Sequence, residues 1–422
     1  VSHSSPPVPQ WRSRRFALLA AAGALLVPLV AGCAANTDTS AAPNDAAMAE
    51  MPAMAGMAGM SSTTDRSTYW NAVAGTPATT VGVTRRYYIR ADEVAWNYAP
   101  TGRNQITGQP FGDQENTYVA TGPGRIGSTY LKCLYRQYTD ATFSTLTPRP
   151  ASDAYLGFLG PVIRAEVGDT ITVQYRNSCR IPTSMHPHGV FYDKSSEGAP
   201  YNDGTAGSST YDDAVPTGGQ HTYVWNVPLR AGPGPGDGSS VMWMYHSHTD
   251  EIGDTYAGLM GPMVITADGM GRADATPTDV DQEVFALFTV ENENNSPYLQ
   301  ANVDRYAQQP YAPDGDEGFE ESNLMHSING YVYGNQPLVT LTKGQHVRWY
   351  TMSMGTEVDL HTPHWHGNVV TSNGMRTDVV SLLPAAMVTA DMVPDNSGIW
   401  LFHCHVNDHI SAGMMTRYRV IG

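Results

Sequence analysis

The sequence predicts an all-β protein built as two packed β-sandwiches, and three observations predict it. Strand-like runs such as Tyr87–Ile89, Ile171–Val173, Thr222–Val224 and Val347–Tyr350 alternate with turn clusters, in a chain with 41 Gly, 29 Pro and 23 Tyr. Short strands separated by turn signals are the pattern of sandwiches. No long run carries the 3.6-residue period of an amphipathic helix. Two short motifs also recur in the same order: His186-Pro187-His188-Gly189 returns as His364-Trp365-His366-Gly367, and His246-Ser247-His248 returns as His403-Cys404-His405. A repeat of this kind implies two copies of one unit.

Along the chain, the elements follow in this order. Arg12, Arg14 and Arg15 precede an apolar run from Phe16 to Val30 that is too short to span a membrane, so residues 1–33 read as an export signal. Val30-Ala31-Gly32-Cys33 resembles a bacterial lipobox, which makes Cys33 the candidate lipid-bearing residue; simple cleavage and secretion is the plainer alternative. Ser13-Arg14-Arg15-Phe16 is a weak twin-arginine match. Either route exports the protein, to the cell surface as a lipoprotein or to the periplasm or medium. Residues 34–80 are rich in Ala, Ser, Thr and Met and read as a disordered linker. Met48, Met51, Met54, Met57 and Met60 recur there at every third position, which suits weak Cu(I) capture by thioethers unless they are incidental to a low-complexity linker. Residues 81–275 and 276–422 form the two sandwiches, with the boundary in the Gly, Asp, Thr and Pro cluster between Ala267 and Asp281.

The 422 residues suffice for two domains, and 41% hydrophobic content supplies their cores. A net charge of −16 argues against nucleic acid as a partner and suits cationic substrates or plain solubility. Of the four cysteines, Cys33 belongs to the export signal and Cys404 sits between two histidines. Cys133 and Cys179 are left, both in the first sandwich; an oxidising compartment permits them to pair, but sequence cannot show that their geometry does.

Eight of the 14 histidines lie in the four His-x-His motifs. On an extended strand residues i and i+2 face the same side, so each motif aims two imidazoles at one place. Imidazole suits copper. In His403-Cys404-His405 the cysteine faces the other way, so its thiolate can bind one copper while the flanking histidines serve another cluster. His361 and His409, with Met414 as a weak axial ligand, complete with Cys404 a site of the blue-copper type. In the first half Thr183 stands where His361 does, Ser247 where Cys404 does, Asp254 for His409 and Leu259 for Met414. The mononuclear site therefore belongs to the second half alone, while each half keeps four cluster histidines.

These motifs, with Gln137-Tyr138-Thr139-Asp140, Leu156 to Pro161, Glu197-Gly198-Ala199, Glu320 to Asn323, Met325 to Gly330 and Glu357 to His361, resemble the ceruloplasmin and hephaestin branch of multicopper oxidases. The resemblance runs over roughly residues 85–422 and implies two cupredoxin-like Greek-key sandwiches, similar to the first and last ceruloplasmin domains. It implies one type 1, one type 2 and two type 3 coppers per active unit. His186 and His364 would serve type 2 copper; His188, His246, His248, His366, His403 and His405 would serve the type 3 pair. Glu197 falls where the family places a carboxylate for proton delivery, although it also reads as an ordinary turn acid. Glu321, His326 and Asp408 match three members of an iron site, and Glu357 matches the fourth, which a neighbouring subunit would have to supply.

The expected activity is one-electron oxidation of a reductant coupled to reduction of O2 to water, with Fe(II) favoured. Laccase-type oxidation of phenols or amines and oxidation of Cu(I) are the alternatives. A copper-storage protein or a binding module without turnover is a different class of reading, and the His403-Cys404-His405 bridge weighs against both. Copper nitrite reductase carries its blue copper in the first domain and so fits less well. If the domains follow one another around a ring, two of them cover a third of a six-domain circle. A head-to-tail homotrimer would then close the ring and assemble each cluster between chains.

Overall fold

Each half of the chain folds as two facing sheets, as the repeat implies. The structure is a computed structural model that describes residues 82–308 and 317–422. The segments read from the sequence as an export signal with Cys33 and as a methionine-rich linker lie outside the described residues. The first half contains β1 (Thr84–Asn97), β2 (Thr129–Tyr138), β3 (Ile163–Glu166), β4 (Thr170–Asn177), β5 (His186–Pro187), β6 (Gln220–Asn226), β7 (Ser240–His246) and β8 (Met260–Thr266). The second contains β9 (Gln282–Asn292), β10 (Leu324–Ile328), β11 (Val339–Thr342), β12 (Val347–Ser353), β13 (Pro363–Trp365), β14 (Val370–Ser372), β15 (Met375–Thr377), β16 (Met387–Met392), β17 (Gly398–Cys404) and β18 (Met415–Ile421). The short helices are α1 (Asp113–Val119), α2 (Glu251–Tyr256), α3 (Leu299–Tyr306), α4 (Glu317–Ser322) and α5 (Asn407–Ser411).

The sheets run β2-β1-β4-β6 and β3-β8-β7-β5 in the first half, β10-β9-β12-β16-β14-β15 and β11-β18-β17-β13 in the second. The connectivity repeats. The parallel pairs β1–β4 and β3–β8 return as β9–β12 and β11–β18, and the antiparallel pair β5–β7 returns as β13–β17. Alternating burial along β4 puts Ile171, Val173 and Tyr175 into the core, the period of two that a one-sided strand requires. The central strand β12 is buried along its whole length, and its Arg348 is met by Asp391 on the adjacent β16 (Nε–Oδ1 2.7 Å). Cys133 and Cys179 are joined as a disulfide, with their Cα atoms 6.0 Å apart.

The halves also exchange segments. Residues 98–119 leave the first half and bond to the second: the Gln105 N–H donates to the Tyr333 carbonyl (2.9 Å) and the Val332 N–H to the Tyr98 carbonyl (3.1 Å). In the other direction, Asn302 of α3 accepts the Leu131 N–H of β2 at 2.6 Å. Beneath this exchange Lys132 of β2 reaches Glu293 and Glu291 around β9, at 2.6 and 3.2 Å, with all three side chains fully buried. Its Nζ also donates to the Tyr256 carbonyl at 2.8 Å. Burial raises the Glu291 carboxyl to about 8 against the opposing pull of Lys132. Among the described residues no helix is long and apolar enough to cross a membrane.

Candidate metal centres

Cys404 closes β17, and its register with β13 places Pro363 opposite Cys404 and His364 opposite His403. Helix α5 turns the chain back so that His409 Nδ1 lies 3.5 Å from Cys404 Sγ. His361 Nδ1 lies 3.8 Å from the same sulfur and 3.1 Å from His409 Nδ1. All three residues are buried. Met414, also fully buried, is tied to Cys404 through its carbonyl, which accepts the Cys404 N–H at 3.1 Å. Burial pushes the Cys404 thiol up, but hydrogen bonds from His361, His409 and the Thr362 and Val406 backbone more than offset it and bring it down to about 6.

Asp359 orients His361. Its Oδ1 accepts from His361 Nε2 at 3.2 Å and from the Val290 N–H at 2.6 Å, and its Oδ2 accepts from the Thr356 N–H at 2.8 Å. In the neutral ring that bond places the proton on Nε2 and leaves the Nδ1 lone pair facing the sulfur. Partners of this kind set the tautomer of a metal-binding histidine. The Asp-x-His spacing was visible in the sequence, but nothing there marked Asp359 as a partner of His361.

Across the strand from Cys404, His403 Nε2 lies 3.2 Å from His364 Nδ1 and 3.1 Å from His366 Nε2. The His405 ring stands 5.3 Å from that of His364 and 5.5 Å from that of His403. In the first half His188 and His246 approach Nε2 to Nε2 at 3.1 Å, with the His186 and His248 rings 5.2 Å apart beside them. Three carbonyls fix tautomers here: His186, His246 and His403 each place Nδ1 on a backbone oxygen, of Glu197 (2.7 Å), Ser247 (3.0 Å) and Cys404 (2.6 Å). A carbonyl only accepts, so Nδ1 carries the proton and Nε2 is left with its lone pair. Burial lowers His188 and His403 to about 4 and His246 to about 3, which keeps these imidazoles neutral and able to bind metal.

The strand argument needs one refinement. Both β7 and β17 end inside their motifs, and β5 and β13 end before His188 and His366. The second histidine of three pairs is held by further backbone bonds, His188 N–H to the Met244 carbonyl, His366 N–H to Leu401 and His405 N–H to Thr362, and in the fourth the His248 N–H donates to the Ser184 hydroxyl (3.0 Å). Among the described residues no hydrogen bond or ring contact joins the first-half set to the second-half set.

The other candidates divide. Glu197 binds His186 through its backbone, while its carboxylate meets Lys194 Nζ (2.6 Å) and the Tyr201 hydroxyl (3.0 Å). His326 is buried with its ring 5.3 Å from that of His409; Glu321 and Asp408 are exposed nearby. Burial and then His409 lower His326 to about 4. Tyr118, which the sequence did not single out, links the group: its hydroxyl donates to Glu321 Oε1 at 2.6 Å and its ring stands 5.7 Å from that of His326. Glu357 is exposed on the loop before His361, and no hydrogen bond or ion pair among the described residues joins it to Glu321, His326 or Asp408.

The donor chemistry fits copper: a thiol poised to ionise between two imidazoles, and neutral imidazoles with their lone pairs gathered. The comparisons agree. Multicopper oxidase family models match residues 137–269 and 300–421. The chain belongs to the multicopper oxidases. It is 45% identical over 342 residues to Ferroxidase HEPHL1 of Homo sapiens, a match covering 80% of this chain and 29% of that protein. It is 43% identical to Hephaestin of Homo sapiens (82% of this chain, 30% of that one) and 39% identical to Ceruloplasmin of Rattus norvegicus (80% and 31%). The chain thus spans under a third of the length of these relatives. A solved structure described as a multicopper oxidase superposes with a TM-score of 0.50 at 16% identity, covering 80% of this chain and 89% of that chain, and shows the shared fold.

Proposed function

We propose that this protein is an exported ferroxidase that passes electrons from Fe(II) through Cys404 to a histidine-bound cluster where O2 is reduced to water. What carries the reading is the contact between His326 and His409, whose rings lie 5.3 Å apart, with His409 Nδ1 3.5 Å from Cys404 Sγ. His326, with the exposed carboxylates of Glu321 and Asp408, would hold the substrate ion. Hard oxygen donors favour the Fe(III) product. Bound copper would supply the one-electron chemistry and the four-electron reduction of O2.

The chain's own residues have separable tasks. Cys404, His361, His409 and Met414 form the entry site, and Asp359 orients His361. The peptide of Cys404 leads directly to His403 and His405, so the path from entry site to cluster is covalent. His186 and His364 take the type 2 position; His188, His246, His248, His366, His403 and His405 take the type 3 positions. Glu197 would deliver protons after release from Lys194. Because no hydrogen bond or ring contact among the described residues joins the two histidine sets, the functional unit is read as a homotrimer with clusters between subunits. Glu357 of a neighbouring chain would then complete the iron site. Residues 81–275 and 276–422 act as the two sandwich domains, behind an export signal that can carry lipid on Cys33.

The test is a double variant. Glu321→Ala with His326→Ala should depress Fe(II) oxidation far more than oxidation of a bulky phenol, since these side chains bind the ion rather than carry every donor's electrons. Equal loss on both substrates, or loss on neither, refutes the ferroxidase reading and leaves a general oxidase of phenols or Cu(I).

A further inference from the structure

Tyr118 reaches the group beside His409 from the opposite half of the chain. It sits near the end of α1, a helix fixed at its start by Glu115, which accepts the Gly112 N–H (3.0 Å) and the Asn104 side-chain N–H (2.9 Å). The segment carrying α1 is pinned to the second half: the Thr101 N–H donates to Asn335 Oδ1 at 3.0 Å, and the Phe111 ring packs 5.9 Å from that of Tyr333. A side chain from residues 98–119 is thereby delivered to a site whose other members come from α4, β10 and α5. There the Tyr118 hydroxyl holds Glu321 Oε1 at 2.6 Å, and its half-buried ring meets His326 edge-on at 5.7 Å. His326 Nδ1 donates to the Leu324 carbonyl at 3.0 Å, which leaves the Nε2 lone pair to a metal ion.

We propose that Tyr118 is a positioning residue for a divalent metal ion held by Glu321 and His326, an assignment that rests on the ferroxidase reading. Glu321 is an exposed side chain on a six-residue helix, and binding a metal costs it its rotamer freedom. The phenol removes much of that freedom in advance. It occupies one carboxylate oxygen and leaves the other to the ion, while its ring limits rotation of His326. Groups that hydrogen-bond a metal-binding carboxylate in this way are typically worth 10–100-fold in affinity. Tyr118 acts through Glu321 and does not itself bind the ion.

The experiment is Zn(II) titration of the copper-loaded full chain by calorimetry, beside Fe(II) kinetics. Tyr118→Phe should weaken Zn(II) binding by roughly tenfold or more. It should raise the KM for Fe(II) by a similar factor with a smaller change in kcat, and leave the visible band of the Cys404 site intact. In a Glu321→Ala background the same substitution should add little, because the interaction it removes is already gone. Unchanged Zn(II) affinity in Tyr118→Phe overturns the proposal, and so does an equal loss in both backgrounds, which would mean a general structural effect. If Glu321→Ala with His326→Ala also leaves Zn(II) binding unchanged, the metal site itself falls. If that double variant loses Zn(II) and Tyr118→Phe does not, only the role of Tyr118 falls.

Discussion

Cys404 and Ser247 occupy the same place in the two halves, and each receives the equivalent backbone N–H: Thr362 donates to the Cys404 sulfur at 3.5 Å and Ser184 to the Ser247 hydroxyl at 2.9 Å. Each also donates its own N–H across the sheet, Cys404 to the Met414 carbonyl (3.1 Å) and Ser247 to the Leu259 carbonyl (3.0 Å). Where His409 meets the thiol, Asp254 meets the hydroxyl, accepting its proton at 2.5 Å. Thr183, in the place of His361, is bonded to the Tyr175 hydroxyl. The first half keeps the backbone scaffold found around Cys404 and fills it with hydrogen-bonded side chains.

Cys404→Ser should therefore fold and keep its cluster copper, since the first half already accommodates serine at this position. The intense visible absorption of a Cu(II)–thiolate bond should vanish, together with oxidase activity. Absorption spectroscopy and copper analysis of the purified variant check this. A colourless wild type that is loaded with copper would count against the assignment of Cys404.

Mixing two inactive variants tests the assembly. His188→Ala damages only the first-half set and His403→Ala only the second-half set. In a head-to-tail ring containing both chains, some interfaces join two undamaged sets, so part of the activity should return after subunit exchange. A fully active monomer in sedimentation, or no recovery despite proven exchange, refutes the trimer.

Lys132→Met should destabilise the protein by about 3–5 kcal/mol, because it leaves Glu291 and Glu293 buried without their cation. The methionine preserves the apolar stem, so the loss reports the charge. Denaturant unfolding measures it. Replacing all three ionisable residues by apolar ones of similar volume should recover most of the stability.

Asp254 makes stability depend on pH. Burial raises its carboxyl to about 6, above the ordinary 3.8, against the lowering effect of its bond to Ser247. Between about pH 4 and pH 6 the folded state keeps a proton that the unfolded chain has lost. Asp254 therefore lowers stability as pH rises through that window, and the cost is fully present above it. Asp254→Asn lacks this titration. Its stability relative to wild type should rise by on the order of 2–3 kcal/mol from pH 4 to pH 6.5 and level off beyond. Chemical denaturation of both proteins across that range checks the slope; parallel curves would show that Asp254 does not titrate there.

The sequence by itself determined what is local or periodic. The β class followed from strand-like runs between turns, and the repeat announced two copies of one unit. Cys404 and His409 were legible as neighbours because short spacing along one strand and the turn after it gathers them, whereas His361, 43 residues before Cys404, was carried by its spacing to His364 and His366. The substitutions at Thr183, Ser247, Asp254 and Leu259 were legible because the repeat supplied the register. Tertiary structure decided the contacts between distant segments. Tyr118 meets Glu321 across 203 residues, and Lys132 meets Glu291 across 159. No periodicity links such positions; each pair exists because the halves exchange segments, and at Lys132 the exchange crosses a buried face, where an unpaired charge would be costly. Asp359 belongs to the same class despite standing two residues from His361, since only the fold turns its carboxylate onto the ring and the Val290 N–H. Ligand identity is a property of residue type and spacing, while orientation and charge compensation arise from packing that brings remote side chains into one water-poor volume.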